Sequence, residues 1–111
     1  MLKTYRLWVL CLGVMASSGC MMHGYNLKTG IENFQVQNYR QSFIRLLPEA
    51  KAGQPDAQYA IGYMYYYGQG VIENRKKAWY WINRAAVGGQ PDAQNAMAIL
   101  RQGKSLAALP R

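Results

Sequence analysis

The chain has 111 residues, two cysteines, one histidine and a formal net charge of +8, from 13 basic and 5 acidic side chains. That length allows one domain with a modest core. So few His, Cys and carboxylate groups, scattered as they are, offer no metal-ligand spacing, and the positive charge bears on partners and solubility rather than on fold.

In chain order, Lys3 and Arg6 come first, followed by an uncharged apolar run from Leu7 to Met15 (LWVLCLGVM). Spanning a hydrocarbon core takes about 20 residues, so this shorter run fits the apolar region of a bacterial export signal instead. Ser17-Ser18-Gly19-Cys20 resembles a lipoprotein processing box, with Ser17 where Leu is usual. The resemblance implies a signal peptide over 1–19 and acylation of Cys20, which becomes the new N-terminus. An ordinary secretory signal cut after Ser18 is the alternative, and it leaves Cys20 free. Once Cys11 departs with the signal, Cys20 is the sole cysteine, and acylation is the simplest use for a lone exported thiol. Each buried methylene of such a lipid adds about 0.8 kcal/mol of anchoring. Losing Lys3 and Arg6 leaves 11 basic residues against 5 acidic, net +6. Met21 after Cys20, by resemblance to enterobacterial lipoproteins, favours the outer membrane facing the periplasm; a soluble periplasmic or secreted protein is the alternative. In that setting the available polyanions are lipid phosphates, peptidoglycan and lipopolysaccharide, and nucleic acid is not an expected partner.

Residues 20–29 have no helical or strand period and read as a lipidated tether, with His23 a solvated linker residue. Beyond them the chain is a series of short helical patterns punctuated by glycine. The hexapeptide GQPDAQ occurs at 53–58 and again at 89–94, 36 positions on. Ala57, Ala60, Ile61, Met64 and Tyr65 fall on one side of a helix that Gly68-Gln69-Gly70 ends. Pro55 suits its first position and Asp56 its positive end. Asn74 is a good N-cap for a second helix, whose stripe is Ala78, Ile82, Ala85 and Ala86, flanked by Trp79 and Trp81, with Gly88-Gly89 as its stop. Ala93, Ala96, Met97 and Leu100 then repeat the first pattern. A period of this size containing two helices marks a helical solenoid.

The run Ala57, Ile61-Gly62, Tyr65, Gly68, Gly70-Val71, Lys77-Ala78, Trp81, Ala85-Ala86 and Gly89 resembles the Sel1-like repeat, a relative of the tetratricopeptide repeat. The resemblance covers 54–89. Residues 30–53 resemble a degenerate opening helix pair, and 90–111 a partial repeat with a capping tail, Leu106-Ala107-Ala108-Leu109. In the partial repeat Ala98 stands where Gly is expected and Arg101 where Tyr is. The implied fold is all-α, a short α-solenoid of about four to five helices. Alanine at 57, 78, 85 and 86 lets helices approach closely, and Gly62 removes a side chain where another helix crosses, at about 1 kcal/mol of helix propensity. GQPDAQ is thus the stop of one helix and the start of the next. A stable solenoid usually needs roughly three repeats. This chain has fewer, so a partner or a second copy is one way to complete its core.

Chemistry finds little purchase. Nucleophilic catalysis needs a nucleophile, a base and an orienting group, and beyond the signal the only His is His23 and the only serines are Ser42 and Ser105. Asp56 and Asp92 occupy equivalent helix starts and serve the dipole rather than forming an acid–base pair. Gly68-Gln69-Gly70 follows a helix, not a strand, so it is no phosphate loop. No enzyme activity, cofactor or metal is expected.

Two surface features remain. Tyr59, Tyr63, Tyr66 and Tyr67 recur at i, i+4, i+7 and i+8. In tetratricopeptide-like folds the first helix of each unit lines the concave surface, so the resemblance implies an aromatic recognition face; the plainer reading is that neighbouring helices bury several of the rings. Arg75, Lys76, Lys77 and Arg84, with Arg101 and Lys104 beyond, form a basic group that is either a solvated face or a site for an anionic surface. The expected function is a non-enzymatic envelope lipoprotein acting as an adaptor for an unidentified envelope protein, held at the membrane through its N-terminal lipid. The alternative is an accessory binder of peptidoglycan or lipopolysaccharide through the basic residues.

Overall fold

The computed structural model describes residues 24–106, which form five α-helices and no strand. These are α1 (24–35), α2 (Tyr39–Lys51), α3 (Pro55–Tyr67), α4 (Arg75–Val87) and α5 (Pro91–Arg101). The expected signal peptide over 1–19, Cys20, His23 and residues 107–111 lie outside the described residues. Helices α2 and α4 begin 36 residues apart, as do α3 and α5, so the period of the sequence is the period of the structure.

The repeated hexapeptide makes the same joint twice. Gly53 and Gly89 take positive φ angles of 104° and 92°, which the absence of a Cβ permits, and each ends the preceding helix. Their N–H groups donate to the Ala50 and Ala86 carbonyls, both at 3.1 Å. Proline then opens the next helix, where a missing N–H costs nothing. The glutamine that closes the motif reaches back: Gln58 Nε2 donates to the Ala50 carbonyl at 3.1 Å, and Gln94 Nε2 to the Ala86 carbonyl at 3.2 Å. Those carbonyls belong to the last turn of the helix before, where intrahelical donors run out. The second glutamine of GQPDAQ therefore stitches two helices together, a role that helix-start chemistry alone does not reveal.

Helix α3 packs between α2 and α4, and its side chains enter two apolar clusters. The first joins Ala57, Ala60, Ile61 and Met64 to Leu46, Ala50 and Trp81, with Leu27, Ile31 and Phe34 of α1 against it. The second joins Tyr66 to Ala78, Ile82, Ala85, Ala93, Ala96, Met97 and Leu106. Alanine sets the closeness of these contacts: Ala57, Ala78 and Ala85 have no exposed surface, and Ala86 is half-buried. At Gly62 an added Cβ would lie 2.6 Å from Ile82 Cγ1 and 3.2 Å from the Ala78 carbonyl oxygen, so glycine is what lets α4 cross α3 there. Asn74 caps α4 by accepting from the Lys77 N–H at 3.0 Å.

The expected tether does not extend to residue 29. Residues 24–29 are helical and belong to α1. The cause is tertiary: Leu27, Ile31 and Phe34 share one face of that helix and pack on the first cluster. The Gly30 carbonyl accepts from the buried Ser42 Oγ at 2.9 Å, and a Cβ at Gly30 would overlap the Leu46 side chain. Asn26 Oδ1 accepts from Arg45 at 3.3 Å. At the other end, Leu106 is buried in the second cluster, against the last turns of α3 and α5.

Candidate functional site

Three of the four candidate tyrosines share one open side of α3. Tyr59, Tyr63 and Tyr67 are half-buried, spaced four residues apart, and lie between α1 and α5. The Tyr63 and Tyr67 ring centroids are 4.7 Å apart, and Phe34 of α1 meets Tyr63 edge-on at 5.3 Å. Tyr59 and Tyr67 also pack against the second cluster, which holds α5. Burial, then the neighbouring Asp92 carboxylate and the phenols of Tyr63 and Tyr67, push the Tyr59 hydroxyl up from 10.0 to about 12. It stays protonated at any physiological pH and can donate a hydrogen bond to an incoming acceptor.

Tyr66 does not share that exposure. It is 4% exposed, and the Leu106 N–H donates to its hydroxyl at 3.1 Å while Ser105 Oγ lies 3.3 Å away. The Arg75 guanidinium sits over its ring at 3.6 Å. Burial raises this phenol, but the bonds to Ser105 and the Leu106 N–H, together with Arg75, outweigh it and lower it overall. Tyr66 is a clasp that ties the end of the described chain to α3, and it leaves the candidate recognition set. Helical spacing put Tyr66 in line with Tyr59 and Tyr63; the segment that covers it arrives from 40 residues away.

The basic candidates also separate. Arg75 pairs with Glu73 at 2.9 Å besides covering Tyr66, so its charge is largely spent within the domain. Lys77 Nζ sits 5.4 Å above the Tyr65 ring. Arg84 donates to the Tyr80 hydroxyl at 2.9 Å and lies 5.6 Å from both the Tyr80 and Trp81 ring centroids. Lys76 is exposed and makes no ion pair among the described residues. The two tryptophans that flank the α4 stripe part company: Trp81 is buried against α2 and α3, whereas Trp79 is 44% exposed.

A shallow open hollow of about 440 Å³ lies beside Lys77, walled by Phe43, Tyr65, Val71 and Ile72. Its lining is apolar apart from Glu73, Asn74 and Lys77, and it holds no nucleophile–base pair. Among the described residues no group of three His, Cys, Asp or Glu side chains could hold a metal ion, and no helix is long and apolar enough to cross a membrane.

The remaining repeat positions define the frame of these surfaces. Ile61, Gly62 and Trp81 are buried, Tyr65 is half-buried, and Gly68 and Gly70 take positive φ angles in the loop between α3 and α4. At Gly70 a Cβ would come within 2.7 Å of the Arg40 backbone nitrogen, so this loop lies directly on the start of α2.

The family model described as Sel1 repeat matches residues 55–89, which is α3, the loop and α4 with its stop. Among curated proteins the chain is similar to the chitin synthase regulator SKT5 of Saccharomyces cerevisiae, 37% identical over 57 residues. The matched stretch is 51% of this chain and only 8% of that much longer protein. No solved structure matches the chain. The helical hairpin at the centre of this molecule, residues 55–89, is thus the part of the chain that matches the Sel1 repeat.

Proposed function

We propose that the protein is a non-enzymatic adaptor of the bacterial cell envelope, docking a segment of a partner protein on Tyr59, Tyr63 and Tyr67 and held at the outer membrane by a lipid on Cys20. The observation that carries the docking face is the row of three half-buried phenols left open between α1 and α5. Tyrosine offers a large contact area with few torsions to freeze, and its hydroxyl adds a directional bond. Tyr63 is already packed against Tyr67 and Phe34, and Tyr59 is half-buried, so little order remains to be imposed when a partner arrives. A Sel1 repeat suits an interaction role, and the likeness to a protein named as a chitin synthase regulator points the same way.

The anchor follows from the Cys20 context read in the sequence. With α1 already helical at residue 24, a lipid at Cys20 would hold the domain within about 14 Å of the bilayer surface, from the extended length of four residues. The adaptor would then work close to the membrane rather than at the end of a long tether.

Crosslinking of the full-length chain in intact cells, followed by mass spectrometry, tests both parts. A defined neighbour should be captured by the wild type and lost from the Tyr59→Ala, Tyr63→Ala double variant, provided its melting shows it folded. The N-terminal peptide should carry acyl mass on Cys20. Undiminished capture by the folded double variant refutes the tyrosine face, and an unmodified Cys20 refutes the anchor.

A further inference from the structure

We propose that the outer side of α4, continued by α2, rests on an anionic phospholipid surface. Charge is the first observation. Helix α4 carries Arg75, Lys76, Lys77 and Arg84 and no acidic residue. The one acid of α2, Glu49, is 1% exposed, while Arg40 and Lys51 are exposed. Every exposed charged side chain on these two helices is therefore a cation. Of the other carboxylates, Glu73 in the loop pairs with Arg75 and leaves Lys76, Lys77 and Arg84 as the cations of α4 without a carboxylate partner among the described residues, while Glu32 lies on α1 and Asp56 and Asp92 at the starts of α3 and α5.

The second observation is what stands between the cations. Trp79 is 44% exposed, Tyr80 52% and Val87 82%, all on α4, and Ile44 on α2 is 56% exposed. The two helices face the same way, because Phe43 of α2 and Lys77 of α4 front the same open hollow. Arg84 is held beside Tyr80 by the bond to its hydroxyl.

A soluble polyanion needs only the cations. Indole and phenol rings can stack on sugars, but the exposed aliphatic groups beside them, Ile44 and Val87, find no partner on a hydrated polymer and cost solubility in water. At a bilayer surface each type has a place. Trp and Tyr settle at headgroup level, Lys and Arg meet the phosphates, and aliphatic groups reach the acyl boundary. Attraction to anionic headgroups adds with each basic residue and fades within a Debye length. This side of the molecule thus matches an anionic lipid interface better than a polysaccharide or a second copy. It does so whether or not Cys20 carries lipid, and it involves none of the tyrosines of the α3 row.

Hydroxyl-radical labelling of the full-length chain reconstituted in vesicles tests the proposal, with phosphatidylcholine alone compared against phosphatidylcholine mixed with phosphatidylglycerol. Labelling of Trp79 and Tyr80 should fall several-fold on the mixed vesicles only, recover at high salt, and recover in a Lys76→Glu, Arg84→Glu variant. Tyr59 and Tyr63 serve as the internal reference and should not change. Trp79→Ala should weaken protection of Tyr80 without altering the salt dependence, which guards against a charge-reversal variant that fails to fold. Equal labelling on both kinds of vesicle overturns the proposal. So does equal protection by peptidoglycan fragments or heparin without vesicles, which would assign the face to a soluble polyanion. Protection that grows with protein concentration in the absence of lipid would assign it to a second copy, and that also overturns it.

Discussion

The two sides of this small solenoid are built from different chemistry although they share one core. On the side of α1, α3 and α5 the Tyr59, Tyr63 and Tyr67 rings lie half-buried, with Tyr63 and Tyr67 in contact and the Asp92 carboxylate acting on Tyr59. On the side of α2 and α4 the side chains are long and cationic, with Trp79, Tyr80 and Val87 exposed among them. The first surface is pre-ordered and suits a specific partner segment, since binding freezes little that is not already fixed. The second depends on charge that salt can screen, and suits a surface rather than a shape. One repeat can thus present two unlike faces, because helices of the two kinds alternate along the chain.

The comparison breaks first at the shared core. Ile82 has no exposed surface and fills the space opposite Gly62. Ile82→Ala should cost about 2–5 kcal/mol, the range for emptying such a site. Urea unfolding followed at tyrosine and at tryptophan should lose both faces in one transition. Separate transitions would mean that the faces belong to independent units.

A smaller effect is expected at the clasp. Tyr66→Phe removes the hydroxyl that accepts from the Leu106 N–H and adjoins Ser105. A buried donor left unmatched costs about 1–3 kcal/mol, and the loss should appear in the urea midpoint. Partner capture should survive in molecules that remain folded, whereas removing Tyr59 and Tyr63 should abolish it. If Tyr66→Phe weakened capture with unchanged stability, Tyr66 would return to the recognition set.

The smallest effect is confined to high pH. With the Tyr59 phenol raised from 10.0 to about 12, the folded state holds a proton that the unfolded chain has released. Its contribution is fully present below pH 10.0 and is lost as pH rises through about 12. Tyr66, shifted downward, works in the opposite sense. Tyr59→Phe should leave stability at neutral pH nearly unchanged and make its decline over that alkaline window shallower. A decline as steep as that of the wild type would show that Tyr59 does not keep its proton in the fold.

Much of the frame was legible in the residues. Asn74 caps α4, Pro55 and Pro91 open α3 and α5, and Gly62 stands where α4 crosses, each as its residue type suggested. The role of Gln58 and Gln94 was not legible, because a glutamine near a helix start is ordinary until the carbonyls of the preceding helix come within reach. Residues 24–29 carry too few periodic apolar positions to announce a helix on their own. Leu27, with Ile31 and Phe34 further along the same helix, becomes meaningful only when α2 and α3 supply a surface. In the candidate sites the spacing found the tyrosine row but could not exclude Tyr66, and a count of charges could not show that Arg75 is occupied by Glu73 and Tyr66.

The sequence by itself determined the repeat, its helices and their stops, because glycine, proline and capping side chains act on backbone within a turn or two of themselves. Only the tertiary structure decided where the first described helix begins and which phenols stay open to solvent. Those outcomes rest on contacts such as Ser42 to Gly30 and Leu106 to Tyr66, made between groups 12 and 40 residues apart. Burial is a property of what arrives from elsewhere in the chain, and no local pattern carries it.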